Sequence, residues 1–491
     1  MFHSRLFVEQ ASTRDQFFQP TRAGLKHALP GASETPWLDG NPSTDRPLFV
    51  QFCANDPDIL LKAAKFVEPY CDAVDLNLGC PQGIARKGHY GAFLQEDWDL
   101  IYRLINNLHK NLSIPVTAKF RILETKEKTL AYAKMILSAG ASIITVHGRR
   151  REQKSQLTGI ADWSMIRYLR DNLPPDTVLF SNGNILNHGD LESCLKVTGA
   201  DGVMSAEGNL SDPTIFAPPP PEGEFEREYW RGRDGRGGYR IDAVTRRYFD
   251  IIYRDILEQE PPARPPLFMA SDLANHQTAR ASEFGDESEI ASEPPRKKQK
   301  QDKSQKYASP NLRFMQGHLF QLFRPFVATY THIRDSLSKS HAGDMDAFER
   351  TLGLLEKQVK EALIEEAQLN QENEESNGDK SDAVENMAST GAGEELTPTQ
   401  QAFKETVAEY KRPWFVCQPY IRPLPEELIK SGHLKLSKKN MARFTEMEEK
   451  ETNEMSSTTS TTNLTLKASR SDGKVDVSTK EELPKEAVVC G

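Results

Sequence analysis

Ala73-Val74-Asp75-Leu76-Asn77-Leu78-Gly79-Cys80-Pro81-Gln82 decides how this chain is read. An apolar run gives way abruptly to a polar stretch punctuated by Gly79 and Pro81, the pattern of a buried strand that stops at its C-terminal edge. Asn77 and Cys80 fall at that edge. In a barrel of parallel strands this rim is where chemistry is done. A thiol held in a Gly-Cys-Pro turn is either a reactive group or a small packing residue, and spacing alone leaves both open.

Outward from this strand the same unit recurs. Strands are expected over 48–53, 115–120, 142–146, 177–180 and 201–205, and helices over 57–70, 97–111, 126–139, 162–172 and 188–198. Asp56-Pro57 supplies a cap followed by proline at the first helical position. Leu100, Ile101, Leu104, Ile105 and Leu108 mark one helix face. Strands and helices in alternation mean a parallel α/β sheet. With the opening stretch this gives six strands, where a closed (β/α)8 barrel needs eight, and the proline run 218–221 ends the rhythm. Two architectures remain: an open doubly wound sheet, or a TIM barrel lacking its first two strands. Residues 8–46 are polar and turn-rich and are expected to form a long surface loop.

At 491 residues the chain has room for two or three domains. No apolar run approaches the roughly 20 residues that span a bilayer, and the N-terminus has no apolar signal core. Six cysteines at irregular positions fit neither a disulfide framework nor a metal site, which points to a reducing compartment. The net charge of −9 is unevenly spread: 361–395 holds eleven acidic residues and one lysine, so the body is close to neutral. Residues 217–240 read as a linker, while 241–258, 311–338 and 345–369 read as helices. Residues 261–308 are expected to be disordered; their basic run 294–300 is a solvated linker or a nuclear-import signal. Low-complexity stretches at 370–400 and 436–491 flank the apolar 412–422, which suggests a segment docking on the folded body. The expected division is therefore a barrel start and loop (1–46), a barrel (47–216), a helical domain (241–365, interrupted at 261–308), and a tail (366–491) with its docking segment.

Successive strands end in polar residues for which a core has no use. Gln51, Lys119 and His147 each have a bland reading as internally satisfied or solvent-reaching groups. Together they are harder to dismiss, because a cation inside a barrel strand is costly unless an anion meets it. The last two strands end in Ser181-Asn182-Gly183-Asn184-Ile185 and Ser205-Ala206-Glu207-Gly208-Asn209. Paired loops of this kind on the final strands of a barrel form a phosphate site, and Ser211-Asp212-Pro213 offers a helix start beside them. Lys119 and His147 across the rim then suggest a phosphorylated cofactor over the barrel mouth.

With these residues assembled, the chain resembles the tRNA-dihydrouridine synthases, FMN-dependent barrel reductases. The resemblance spans about 47–216. It is carried by Val50-Gln51-Phe52, the stretch from Asp75 to Gln82, Ala118-Lys119-Phe120-Arg121, Val146-His147-Gly148-Arg149, Asn182-Gly183-Asn184-Ile185 and Val203-Met204-Ser205-Ala206-Glu207-Gly208. It is nearest the eukaryotic subgroup acting on D-loop positions 16 and 17. The resemblance implies hydride from FMN to C6 of uracil and a proton from Cys80 to C5. It implies Asn77 orienting the base, Gln51, Lys119 and His147 against the flavin ring, and Asn182, Gly183, Asn184, Ala206 and Glu207 at the phosphate. Arg121 and Arg149 would meet tRNA, a helical domain would hold it, and NADPH or NADH would be the reductant. A monomer without metal or membrane, cytoplasmic or nuclear, is the expected setting. Met1-Phe2-His3-Ser4 coincides with the end of the family's second strand, so the first two strands are expected to be missing, as in a mis-called start site. Competing readings are an FMN oxidoreductase acting on a small pyrimidine and a catalytically impaired homologue that only binds RNA. A Schiff-base aldolase built on Lys119 would leave Cys80 and the Asn182 loop without purpose.

Overall fold

In the computed structural model, residues 1–21, 36–232, 237–272, 310–376, 412–422 and 424–430 are described. Seven parallel strands form one sheet in sequence order: β1 (Phe2–His3), β2 (Phe49–Cys53), β3 (Ala73–Leu78), β4 (Val116–Arg121), β5 (Ile143–His147), β6 (Val178–Asn182) and β7 (Gly202–Met204). The helices that follow them are α3 (Pro57–Val67), α5 (Trp98–Asn111), α6 (Lys126–Ser138), α7 (Trp163–Asn172) and α8 (Gly189–Thr198), as in a TIM-type barrel. Asp56 caps α3 through Asp58 N and Ile59 N, with Pro57 at its first turn.

Side chains alternate across a strand, so each strand of this sheet has two unlike faces. Val50, Phe52, Val74, Leu76, Leu78, Val116, Ala118, Phe120, Ile144, Val146 and Leu179 point one way and none exceeds 4% exposure. They meet the apolar stripes of α3, α5, α6 and α7 in one core. Each such large side chain contributes about 1.5–3 kcal/mol by leaving water. The opposite face is polar. Its residues stack in three tiers set by the register: Gln51, Asp75 and Thr117; Asn77, Lys119 and Thr145; Arg121, His147 and Asn182.

The expected count of six strands is corrected to seven. Phe2–His3 pairs in parallel with Phe52–Cys53, where the resemblance places the end of a second strand. Nor is 8–46 all loop: α1 (Ser4–Glu9) and α2 (Ala11–Phe17) precede residues 22–35, which lie outside the described part. Phe7 of α1 and Phe18, just past the end of α2, reach the sheet core beside Phe2 and Phe52, a signal hidden by the surrounding polar residues. Two further short helices, α4 (Gly83–Lys87) and α9 (Glu207–Ser211), sit in the rim loops. The helix start expected at Ser211-Asp212-Pro213 comes earlier, at Glu207; Asp212 instead caps a turn to Thr214.

The C-terminal helical layer comprises α10 (Ile241–Ile251, continued by a π turn over Ile252–Ile256), α11 (Pro310–Leu322), α12 (Thr331–Lys339) and α13 (Met345–Ser376). The single helix expected over 311–338 is two, broken ahead of Pro325, which lacks the amide a helix interior needs. The linker at 217–240 contains a hairpin of β8 (Tyr229–Arg231) and β9 (Gly237–Tyr239). Residues 261–272 are ordered against this layer by Arg264, which pairs with Asp250 at 2.6 Å and Glu349 at 2.7 Å. The remainder of the expected disordered insertion, with the basic run, lies outside the described residues, as does the tail beyond 430. Residues 412–422, the expected docking segment, lie against the helical layer. Phe415, Val416 and Cys417 are buried with Phe249, Phe323, Phe326 and Phe348, and Cys417 N donates to Tyr239 O at 2.9 Å.

Candidate active site

The end of β3 is held by a chain of side-chain bonds that begins at its own aspartate. Asp75 accepts from Thr117 Oγ1 at 2.7 Å and from Gln51 Nε2 at 2.7 Å. Gln51 Oε1 in turn accepts from Asn77 Nδ2 at 3.0 Å. Asn77 Oδ1 then accepts from Gly79 N at 3.1 Å and Cys80 N at 2.9 Å. The turn is clamped from three other sides. Arg121 Nε donates to Gly79 O at 2.9 Å, Ala92 N donates to Cys80 O at 3.1 Å, and Lys154 Nζ donates to Pro81 O at 2.6 Å. Cys80 is half-buried beside Cys53 and Tyr90, and burial pushes the Cys53 thiol up to about 12. Cys80 is therefore the partly open member of this thiol pair, on a backbone fixed in place.

Lys119 stands one strand away, paired in register with Asn77. Among the described residues its ammonium makes no hydrogen bond or ion pair. Desolvation, with the Arg121 charge adding to it, brings it down to about 8, against the opposing pull of Asp75 and Cys80. Burial raises the Asp75 carboxyl. His147 is driven well below its ordinary value, first by burial and then by Lys119, Arg121 and Arg149. Its Nε2 lies 3.2 Å from Arg149 Nη1, so it accepts there and the neutral ring carries its proton on Nδ1.

At the far side of the cleft Arg149 donates to Gly159 O at 2.9 Å and to Asn184 Oδ1 at 2.5 Å. Asn182 Nδ2 donates to Met204 O at 2.7 Å and ties β6 to β7. Gly183 has φ +109, and a Cβ there would lie 2.7 Å from Ala161 Cβ and 2.9 Å from His147 Cδ2; Asn184 follows at φ +59. Two successive left-handed residues turn the backbone at the lip of the pocket. The cleft has a volume of about 280 Å³ and is lined by Arg121, His147, Arg149, the 182–186 loop and the 204–208 loop.

The structure thus brings Gln51, Asn77, Cys80, Lys119 and His147 onto one face, and Asn182, Gly183, Asn184, Ala206 and Glu207 into one cleft. Three residues sit otherwise than expected. Asn77 spends its oxygen on the Cys80 turn and one amide hydrogen on Gln51. Arg121 is buried, with Nη1 donating to Arg150 O at 3.0 Å and Gln153 O at 3.2 Å, so it braces loops instead of facing a nucleic acid. Arg149 is likewise engaged internally. Sequence reasoning missed Asp75, Lys154, Tyr420 and Arg422. Asp75 was legible as an acid within an apolar strand. The others depend on chain contacts that no local pattern announces.

A polar, cation-bearing face of a parallel α/β sheet beside a clamped thiol is a site equipped to hold an anionic ligand and to transfer a proton. The family model described as Dihydrouridine synthase (Dus) matches residues 32–234. The chain is 40% identical over 430 residues to the tRNA-dihydrouridine(16/17) synthase [NAD(P)(+)] of Schizosaccharomyces pombe, covering 87% of this chain and 82% of that one. It is 47% identical over 305 residues to the protein of the same name from Saccharomyces cerevisiae, covering 62% of this chain and 58% of that one. A tRNA-dihydrouridine(20a/20b) synthase [NAD(P)+]-like protein of Homo sapiens is 35% identical over 176 residues, 35% of this chain and 54% of that one. The chain belongs to the dihydrouridine synthase family, NAD(P)-dependent oxidoreductases that reduce uridine to dihydrouridine in tRNA.

Proposed function

We propose that this chain reduces uridine to 5,6-dihydrouridine at D-loop positions 16 and 17 of tRNA, with FMN as its cofactor and NADPH or NADH as reductant. The residues present fit FMN. Lys119 is a cation without a hydrogen-bond or ion-pair partner among the described residues, and the 182–186 and 204–208 loops line an open cleft of about 280 Å³ across the rim from it. Gln51, Lys119 and His147 would hold the ring system, and the 182–184 and 206–207 loops its phosphate. When bound, FMN supplies the hydride that uracil C6 receives.

The chain's own residues do the rest. Addition at C6 leaves enolate character at C5, and Cys80 Sγ delivers the proton that completes the saturated C5–C6 bond. The thiolate left behind lies in the field of Lys119 and Arg121 and is reprotonated from solvent. The Asp75–Gln51–Asn77 chain holds the Cys80 turn against recoil, and neutral His147 can accept or donate without adding charge. Half-burial of Cys80 limits water at the reacting atoms. The target base must leave its loop to reach this face, and the helical layer over 241–365 would hold the rest of the tRNA. The protein would act as a monomer, in the cytoplasm or nucleus.

The observation that carries this reading is the clamped Cys80 turn sharing a face with Lys119, whose ammonium has no partner among the described residues. Cys80→Ala should retain flavin and tRNA while uridine reduction in a single turnover falls by about 100-fold or more. Undiminished reduction would remove Cys80 from the chemistry. Wild-type reduction of free uridine as readily as tRNA would favour a small-pyrimidine oxidoreductase.

A further inference from the structure

The cleft that would take the cofactor phosphate has a wall that the barrel does not supply. Tyr420, Arg422 and Leu424, from the strap that follows the buried Phe415–Cys417, line it together with Arg149, Asn184 and Glu207. Arg422 meets Glu207 as a fork, Nη2 donating to Oε1 at 2.5 Å and Nε to Oε2 at 3.2 Å. The strap is held from the helical layer, where the Arg324 guanidinium lies 3.1 Å from the centre of the Tyr420 ring. Glu207 is the one carboxylate among the residues lining this cleft. Alone, it would repel a phosphate dianion a few ångströms away, and the pair is exposed enough that solvent softens but does not erase that repulsion. The field of Arg422 is felt at Arg149 as well, whose guanidinium is brought down to about 10 by burial first, then Arg121, with Arg422 adding to it and Glu207 opposing.

We infer that Arg422 is a positioning residue for cofactor binding: it neutralises Glu207, so that the loop after β7 accepts the phosphate of FMN. The cofactor site is then completed by a strap more than 200 residues downstream in the chain. This rests on the FMN reading above.

The test uses the full chain stripped of flavin, titrated separately with FMN and with riboflavin, which lacks the phosphate, by fluorescence quenching. R422A should weaken FMN about tenfold and riboflavin less than about twofold, since only the former carries the charge at stake. Adding E207Q to R422A should recover most of the FMN loss, and R422K, which keeps the charge, should retain most of the wild-type FMN affinity. Equal loss for both flavins would make the strap a mere wall and overturn the inference. So would unchanged FMN affinity in R422A, or no recovery in the double variant. Wild-type protein that binds neither flavin would instead overturn the FMN reading itself.

Discussion

Lys119 shows what a site costs before its ligand arrives. A lysine brought from its ordinary 10.5 to about 8 by desolvation opposes folding of the ligand-free protein by an amount on the order of 1–3 kcal/mol. Below about pH 8 both folded and unfolded chains keep the proton and the penalty is constant. Between about 8 and 10.5 the unfolded chain holds a proton that the folded one has lost, so this contribution becomes less unfavourable as pH rises. Lys119→Met should therefore raise the unfolding free energy of flavin-free protein at pH 7, with the gap to wild type narrowing through that window. Its flavin affinity should fall. Denaturant curves at pH 7 and pH 9.5, beside a flavin titration, measure both; a destabilised Lys119→Met would mean the ammonium is satisfied after all. Cys80 differs from Lys119 in kind: what matters there is not its charge but its placement.

Placement is a property of the element, here the turn that ends β3. Gly91 packs against it with φ +64, and a Cβ at that position would lie 2.9 Å from Cys80 Cβ and 2.9 Å from Cys80 O. Since one of those atoms is backbone, the turn itself must give. Gly91→Ala should cost about 1 kcal/mol or more, from the left-handed backbone and the clash together. It should also lower turnover while flavin remains bound, because the displaced atom is the proton donor's carbon. A thermal melt and a single-turnover assay on the same preparation check the two effects; normal turnover would show that Cys80 tolerates displacement. Asn77→Ala tests the same turn from the other side. It leaves the Gly79 and Cys80 amides without their acceptor, and turnover should fall with little change in flavin affinity.

At the scale of the whole molecule, the strap runs from the helical core to the cleft, from buried Phe415 to the Arg422–Glu207 pair. Phe415 lies inside the helical core, and Phe415→Ala should cost about 3–5 kcal/mol in urea unfolding. Cys417, two residues on, is fully buried with its thiol pushed well above the ordinary value. It should be inert to a thiol reagent in the native protein and become labelled in Phe415→Ala. If Cys417 stays protected while stability falls, the strap is held by more than its aromatic anchor. Weaker FMN binding by the same variant, at temperatures where it remains folded, would extend the coupling to the cofactor.

The sequence by itself determined the strand–helix alternation, because parallel strands buried on their helix-packed face and amphipathic helices leave strong local patterns. It also made Cys80, Lys119 and His147 conspicuous, since a polar residue at a fixed place in or just after an apolar strand stands out. The two faces of the sheet were legible in the same way, as Gln51, Asp75 and Asn77 alternate with Val50, Phe52 and Leu76. Only the tertiary structure decided which polar groups face the cleft and which are consumed inside. Arg121 and Arg149 look like free cations in sequence, yet carbonyl oxygens from distant loops absorb their donors. The two-residue strand β1 is too short to carry a period and becomes a strand only by pairing with β2. Glu207 and Arg422 lie so far apart in the chain that no pattern joins them. Their meeting follows from where Phe415 is buried and where Tyr420 packs against Arg324, which is a matter of packing and not of local propensity.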